Sequence, residues 1–191
     1  MDHPRPWLKY VAADDLDGSP ADIAFDAMRV NGTDGEKLGS VDGFIVNDSN
    51  GQPYYVVVDA GGWFKSKYFL VPIGHVTFDR SQNRMTADLT RERVHNFPGF
   101  DRDEFEKLSE ADLERMDEQI VAACCPTVTI DRSTITLRYE QWPHYRSPNW
   151  WDADLYRPDR ADRAMKGMAG SDRQATAPDK TSRASKGSGK A

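Results

Sequence analysis

The chain has 191 residues, a net charge of −6 and a hydrophobic fraction of 38%, which allows one globular domain with appendages and excludes global disorder. No basic region followed by an apolar run opens the sequence, and no 18 apolar residues occur in a row. We therefore expect neither a signal peptide nor a membrane span, and a cytoplasmic location. The two cysteines, Cys124 and Cys125, are neighbours, so a disulfide framework is excluded and reduced thiols are expected.

The first hundred residues predict a short lead-in followed by an all-β body. Residues 1–22 mix Pro, Asp and Gly without a period, which predicts an irregular segment whose Trp7, Leu8 and Tyr10 pack on the body. Residues 23–100 alternate short apolar runs with turn signals, a pattern typical of a small barrel or sandwich. The six predicted strands are residues 25–30, 38–46, 54–58, 68–71, 76–78 and 85–87.

A helix is predicted after the strands. Ser109 followed by Asp112 resembles a capping box, and Pro126 ends the helix. Its apolar stripe consists of Leu113, Met116, Ile120 and Cys124. Its polar side carries Glu110, Glu114 and Glu118. This spacing of three and four is the helical period, so the stripe is expected to pack against the body or a partner.

A hairpin and an aromatic segment are predicted to complete the residues 101–156. Alternating apolar residues before and after the turn 131–133 predict two strands within residues 128–139. Residues 139–156, here called the aromatic strap, hold Tyr139, Trp142, Tyr145, Trp150, Trp151 and Tyr156. The strap has two readings: an intramolecular cover, or an arm that docks on another subunit, since Trp and Tyr are favoured at interfaces.

The C-terminal segment differs in charge from the rest of the chain. Residues 157–191 carry nine Lys/Arg and four Asp/Glu, a net charge of +5, whereas residues 1–156 carry 16 and 27, a net charge of −11. Residues 157–191 lack Ile, Leu, Val and aromatic residues, which predicts a disordered basic tail. Arg157, Arg160, Arg163 and Lys166 recur every three residues, a possible basic face toward an anionic partner.

Three stretches within the predicted β body resemble the PRC-barrel domain. They are DGEKLGSVDGFIV at 34–46, YVVVDAGGWF at 55–64 and KYFLVP at 67–72, and the resemblance covers roughly residues 24–100. It implies a small six-stranded, SH3-like barrel that binds other macromolecules or itself and is not a catalyst. The family includes the cytoplasmic part of the photosynthetic reaction-centre H subunit and a ribosome-maturation factor. This chain lacks the membrane helix of the first and the preceding barrel of the second, so neither specialised role is expected.

Side chains that carry chemistry elsewhere form no recognised pattern in this sequence. The histidines are His3, His75, His95 and His144. No two have metal-ligand spacing, and His75 is interpreted as a strand-end residue with a satisfied hydrogen bond. Asp101 and Asp103 resemble a calcium loop, but Phe105 and Glu106 replace a ligand and the required glycine. No nucleophile elbow, phosphate loop or dinucleotide fingerprint occurs, so no metal, cofactor or enzyme activity is expected.

The sequence thus predicts a mainly β, PRC-type barrel with a C-terminal helix, hairpin and strap. It divides into residues 1–22, 23–100, 101–156 and 157–191. The predicted function is a non-enzymatic protein-binding or scaffold module that self-associates as a homo-oligomer or docks on another protein. The predicted protein-binding residues are Trp63, Phe64, Leu113, Met116, Ile120, Trp142, Tyr145, Trp150 and Trp151. The alternative is a nucleic-acid- or ribosome-associated factor that uses the basic tail.

Overall fold

A computed structural model describes residues 8–16, 23–124 and 143–152. Within these ranges, the strands are β1 (Leu8–Ala12), β2 (Arg29–Asn31), β3 (Lys37–Asn47), β4 (Pro53–Asp59), β5 (Tyr68–Pro72), β6 (Val76–Asp79) and β7 (Arg84–Ala87). The helices are α1 (Arg91–Val94), α2 (Arg102–Phe105) and α3 (Glu110–Cys124). Short 3₁₀ turns cover Asp14–Leu16, Ile73–His75 and Pro143–Tyr145. The predicted mainly β architecture with a C-terminal helix is confirmed.

The strands form one seven-stranded sheet around the long central strand β3. The hydrogen-bonded order is β5-β4-β3-β2-β7-β6, and β1 pairs with β3 outside this path. β4 follows one edge of β3, while β2 and β1 share the other edge, β2 at its beginning and β1 at its end. The β2–β7 pair is parallel and the other strand pairs are antiparallel. This arrangement buries the inner face of β3 in the core.

Two predictions about the strands need correction. Residues 8–12 are not irregular, because they form β1 and pair from Leu8 with Asn47 to Ala12 with Gly43. The sheet therefore has seven strands where six were predicted. The first predicted strand, 25–30, begins only at Arg29, because Ala27 has a φ of 53° and the amide of Met28 bonds back to Phe25 in a turn. The other five predicted strands lie within one residue of their observed bounds.

Two glycines allow neighbouring strands to approach β3 closely. A Cβ on Gly39 would collide with the backbone carbonyl of Asp59 and lie 2.7 Å from Val58 Cγ1. A Cβ on Gly43 would collide with the carbonyl of Val11 and lie 2.6 Å from the ring of Tyr10. β3 also carries a register shift between Val41 and Gly43, a bulge that bends the strand. The glycines are thus needed for strand contact in the sheet.

The predicted helix is confirmed as α3, together with its capping box. The backbone amide of Asp112 donates to Ser109 Oγ at 3.3 Å, and the amide of Ser109 donates to Asp112 Oδ2 at 3.2 Å. Hydrogen bonds from Ser109 hold the pKa of Asp112 below its usual value. Leu113, Ile120 and Cys124 are buried, and Met116 is half-buried. The predicted apolar stripe therefore faces the body of the chain.

Several predicted segments lie outside the described residues. They are Trp7, the hairpin within 128–139, the start of the strap and the basic tail 157–191. Among the described helices, none is long and apolar enough to cross a membrane.

Candidate functional site

The described part of the strap packs on the sheet of its own chain. The ring of Trp151 lies 4.8 Å from that of Phe44, and Trp151 Nε1 donates to the carbonyl of Gly51 at 2.9 Å. The ring of Trp150 lies 6.0 Å from Phe25 and is also buried. Both tryptophans therefore extend the hydrophobic core, which matches the reading of the strap as an intramolecular cover. Their role in protein binding stays a prediction.

A buried polar network ties the strap to β4 and α3. Tyr55 Oη donates to Asp117 Oδ1 at 2.6 Å and lies 2.8 Å from Tyr145 Oη. Tyr145 is fully buried, and Asp117 is only 3% exposed. A buried carboxylate is costly unless hydrogen bonds compensate it, and the short bond from Tyr55 supplies that compensation. One residue from each of the three elements thus meets in a single cluster.

A small cavity, here called the β4–α3 slot, opens beside this network. Its volume is about 50 Å³. Its lining residues are Leu8, Tyr54, Tyr55, Glu110, Leu113, Glu114, Met116 and Asp117. Glu110 and Glu114 are exposed, Met116 is half-buried, and the aromatic and leucine side chains are buried. The slot therefore has a mainly apolar interior, with the buried Asp117 in its lining, and an acidic opening.

Trp63 and Phe64 lie in the β4–β5 loop, after two glycines with positive φ. Gly61 and Gly62 have φ values of 65° and 93°, which a residue with a Cβ adopts only with strain. Trp63 is half-buried: its Nε1 donates to the carbonyl of Leu38 at 3.0 Å, and the Arg91 guanidinium lies 4.4 Å from its ring centroid. Phe64 is buried. The pair packs at the end of the sheet, with one ring partly accessible.

A cationic clamp joins α2 to β1 and β5. Arg102 Nη1 donates to Tyr10 Oη at 3.1 Å and Nη2 to Tyr68 Oη at 2.7 Å, with Asp42 Oδ1 3.5 Å from Nη2. Burial and the hydrogen bond to Asp42 raise the pKa of Tyr10 above its usual value. Partial burial acts to lower the pKa of Arg102, but the bond to Tyr68 and the charge of Asp42 outweigh it and raise that pKa. These contacts explain why the N-terminal strand stays on the sheet.

The structure brings together only some of the predicted binding residues. Leu113 and Met116 meet in the slot, and Tyr145 contacts Tyr55, which lines it. Ile120 is buried on the inner face of α3. Trp63 and Phe64 lie in a separate cluster with Phe69. Trp142, Arg157, Arg160, Arg163 and Lys166 lie outside the described residues.

Sequence reasoning missed the buried carboxyl group and the two tyrosines of the slot. Asp117 occupies the α3 face between Leu113 and Ile120, so a carboxylate at helical spacing within an apolar stripe was the available signal. Tyr54 and Tyr55 were read only as strand formers. No signal connected Tyr55 to partners 62 and 90 residues away.

A comparison with known protein families identifies one domain in this chain, and that domain covers most of the observed sheet. Residues 25–94 match the PRC-barrel domain, so the chain contains a PRC-barrel domain over β2 to α1. The slot combines Tyr54 and Tyr55 of this domain with Leu8 and α3, which lie outside the match, as do residues 143–152 of the strap.

A curated relative is similar to part of the chain. The chain is 36% identical over 73 residues to an uncharacterized protein of Deinococcus radiodurans, a match that covers 38% of this chain and 26% of the relative. The chain thus spans about a quarter of that relative's length.

Proposed function

We propose that the chain is a non-enzymatic protein-binding module, which acts by self-association or by docking on another protein. The observation that supports this most is the β4–α3 slot, because the predicted binding residues Leu113 and Met116 line it together with Tyr54. A slot with an apolar interior and polar groups at its mouth is the usual form of a pocket for a partner's anchoring side chain.

Charge complementarity indicates the chemistry of that partner. Glu110 and Glu114 stand at the opening, one helical turn apart on the exposed face of α3. A lysine that lies across the opening matches both features, because its methylene stem packs on the half-buried Met116 while its ammonium group meets Glu110 and Glu114. We therefore infer that the mouth of the slot takes a lysine presented by a segment of a partner protein.

The domain is also proposed to close as a barrel. β5 and β6 are the two ends of the hydrogen-bonded order, and the single 3₁₀ turn Ile73–His75 joins them directly. So short a connection keeps the two end strands close, which supports closure of the small SH3-like barrel that the PRC-barrel domain implies.

Selection of displayed peptides on the full chain tests the slot. A random peptide library is expected to yield sequences with a lysine beside apolar residues. Met116→Glu and the double variant Glu110→Lys/Glu114→Lys are expected to reduce binding of those peptides at least tenfold, because about 1.4 kcal/mol corresponds to that factor. Thr77→Glu is the matched control, since Thr77 is exposed on β6 and does not line the slot.

The outcomes separate the kinds of partner. Light scattering on the full chain that shows an oligomer dissociated by Met116→Glu identifies a second copy as the partner. A monomer whose selected peptides depend on the slot identifies another protein. Peptides without lysine, or binding unchanged in both slot variants, would overturn the assignment of the slot.

The alternative function rests on the uneven charge of the chain. Residues 157–191 have a net charge of +5, which attracts nucleic acid, whereas residues 1–156 have −11, which repels it. Truncation after Tyr156 is therefore expected to abolish binding of a fluorescent single-stranded oligonucleotide at low salt and to leave peptide binding intact. Fluorescence anisotropy at two salt concentrations measures this, and oligonucleotide binding that survives truncation contradicts a tail-borne site.

A further inference from the structure

Two histidines that are 69 residues apart meet where the strap crosses the end of β5. His75 ends the 3₁₀ turn Ile73–His75, and His144 lies in the 3₁₀ turn Pro143–Tyr145. His75 Nε2 is 2.7 Å from His144 Nδ1, and the rings stack at 5.0 Å with an interplanar angle of 26°. His144 is only 1% exposed. The contact is thus short, part-buried and shared between the sheet and the strap.

The contact tolerates one added proton but not two. A hydrogen bond between two ring nitrogens needs one donor and one acceptor, whereas both nitrogens of an imidazolium are donors. A single positive charge on His75 is supported by the Asp88 carboxylate, whose Oδ2 is 3.9 Å from His75 Nδ1. Among the described residues, His144 Nε2 has no hydrogen-bond partner, so a second buried charge there lacks compensation.

The other charged and titratable groups packed around the turn do not remove this conflict. From β4, Tyr55 is hydrogen-bonded to Tyr145, and the ring of Tyr54 lies 5.4 Å from Tyr145. From α3, Asp117 accepts the hydrogen bond of Tyr55. On the strap itself, Arg146 is exposed and adds positive charge beside His144. The second proton therefore repels both the first proton and this cation.

We propose that the His75–His144 contact is a proton-sensitive latch, which holds residues 143–152 on the sheet and opens when both histidines are protonated. In an unfolded chain each histidine takes a proton near pH 6.5. Two imidazolium rings leave the contact without an acceptor nitrogen, so the latch is expected to hold the strap at neutral pH and to release it in acid. The latch does not depend on the proposed binding of a protein partner.

Hydrogen exchange of the full chain tests the latch. The exchange rates of the amides in residues 143–152 are first corrected for the intrinsic effect of pH. The corrected rates are expected to rise at least tenfold between pH 7.5 and pH 5.0, which corresponds to a tenfold larger equilibrium constant for opening of the strap. Amides of β3 and β4 are expected to keep their protection. His144→Gln and His75→Gln are expected to lose this pH dependence, because an amide side chain hydrogen-bonds but does not titrate in this range.

The control is His95→Gln, which removes an exposed histidine that does not contact the pair. It is expected to retain the full pH dependence. Far-ultraviolet circular dichroism shows whether each latch variant folds. If one of the two variants does not fold, the remaining variant and the unsubstituted chain still test the latch. Unchanged exchange over 143–152 in the unsubstituted chain, or an equal rise in both latch variants, would show that the latch is wrong.

Discussion

Replacing Trp151 by alanine is expected to lower the free energy of unfolding by about 3–5 kcal/mol, the range for removal of a large buried aromatic side chain. Trp151 is 7% exposed and packs on Phe44 at 4.8 Å and on Phe25 at 6.3 Å. The substitution also removes the hydrogen bond to the Gly51 carbonyl. The cavity left by the missing Trp151 side chain would lie between the strap and the sheet. We therefore expect the strap and the sheet to be destabilised together.

Urea denaturation followed by tryptophan fluorescence and by circular dichroism measures this loss. Trp151→Phe is the matched control, because it retains most of the ring contact with Phe44 and loses the hydrogen bond to Gly51. It is expected to cost about 1 kcal/mol for the lost bond, in addition to a smaller packing loss. A loss below about 1 kcal/mol for Trp151→Ala would contradict the strap as part of the core.

Much of the sheet could be predicted from its turns. The chain between β3 and β4 reads Asp48-Ser49-Asn50-Gly51, and Gly51 adopts the positive φ of 72° that such a turn requires. The chain between β6 and β7 has Asp79, whose carboxylate accepts the amide of Ser81 at 2.9 Å. Both turns are determined by residues a few positions apart, so the local sequence is enough to predict where they lie.

β1 could not be predicted from the sequence, because its pairing depends on residues far away along the chain. Its five residues carry Lys9 among apolar side chains, and its partner is the far end of β3, 31 to 39 positions away along the chain. A short segment without a turn to its partner has no local signal for pairing. The Arg102 clamp, which bonds Tyr10 to a residue 92 positions away, became visible only once the sheet was formed.

The candidate site was predictable on its apolar side alone. The period of Leu113, Met116 and Ile120 predicts which face of α3 is buried, and the structure confirms that face. The same period places Asp117 on it, at 3% exposure. A carboxylate is retained there because Tyr55, from a distant strand, donates to it. Long-range polar contacts of this kind have no periodicity, and the His75–His144 contact belongs to the same class.

Tyr55→Phe is expected to lower the free energy of unfolding by about 1–3 kcal/mol, the range for leaving a buried polar group without its hydrogen-bond partner. The ring stays in place, and only the hydroxyl that bonds Asp117 and Tyr145 is lost. Tyr145→Phe removes its hydrogen bond with Tyr55 and should cost about 1 kcal/mol.

A double-mutant cycle in urea shows whether the two tyrosines act as one network. Because both substitutions delete the same 2.8 Å contact, the double variant should lose less than the sum of the single losses, by about 0.5 kcal/mol or more. Additive losses would mean that Tyr55 and Tyr145 contribute to stability independently. Coupling, by contrast, would mean that Tyr55, which also bonds Asp117 in the slot, holds the strap through its contact with Tyr145.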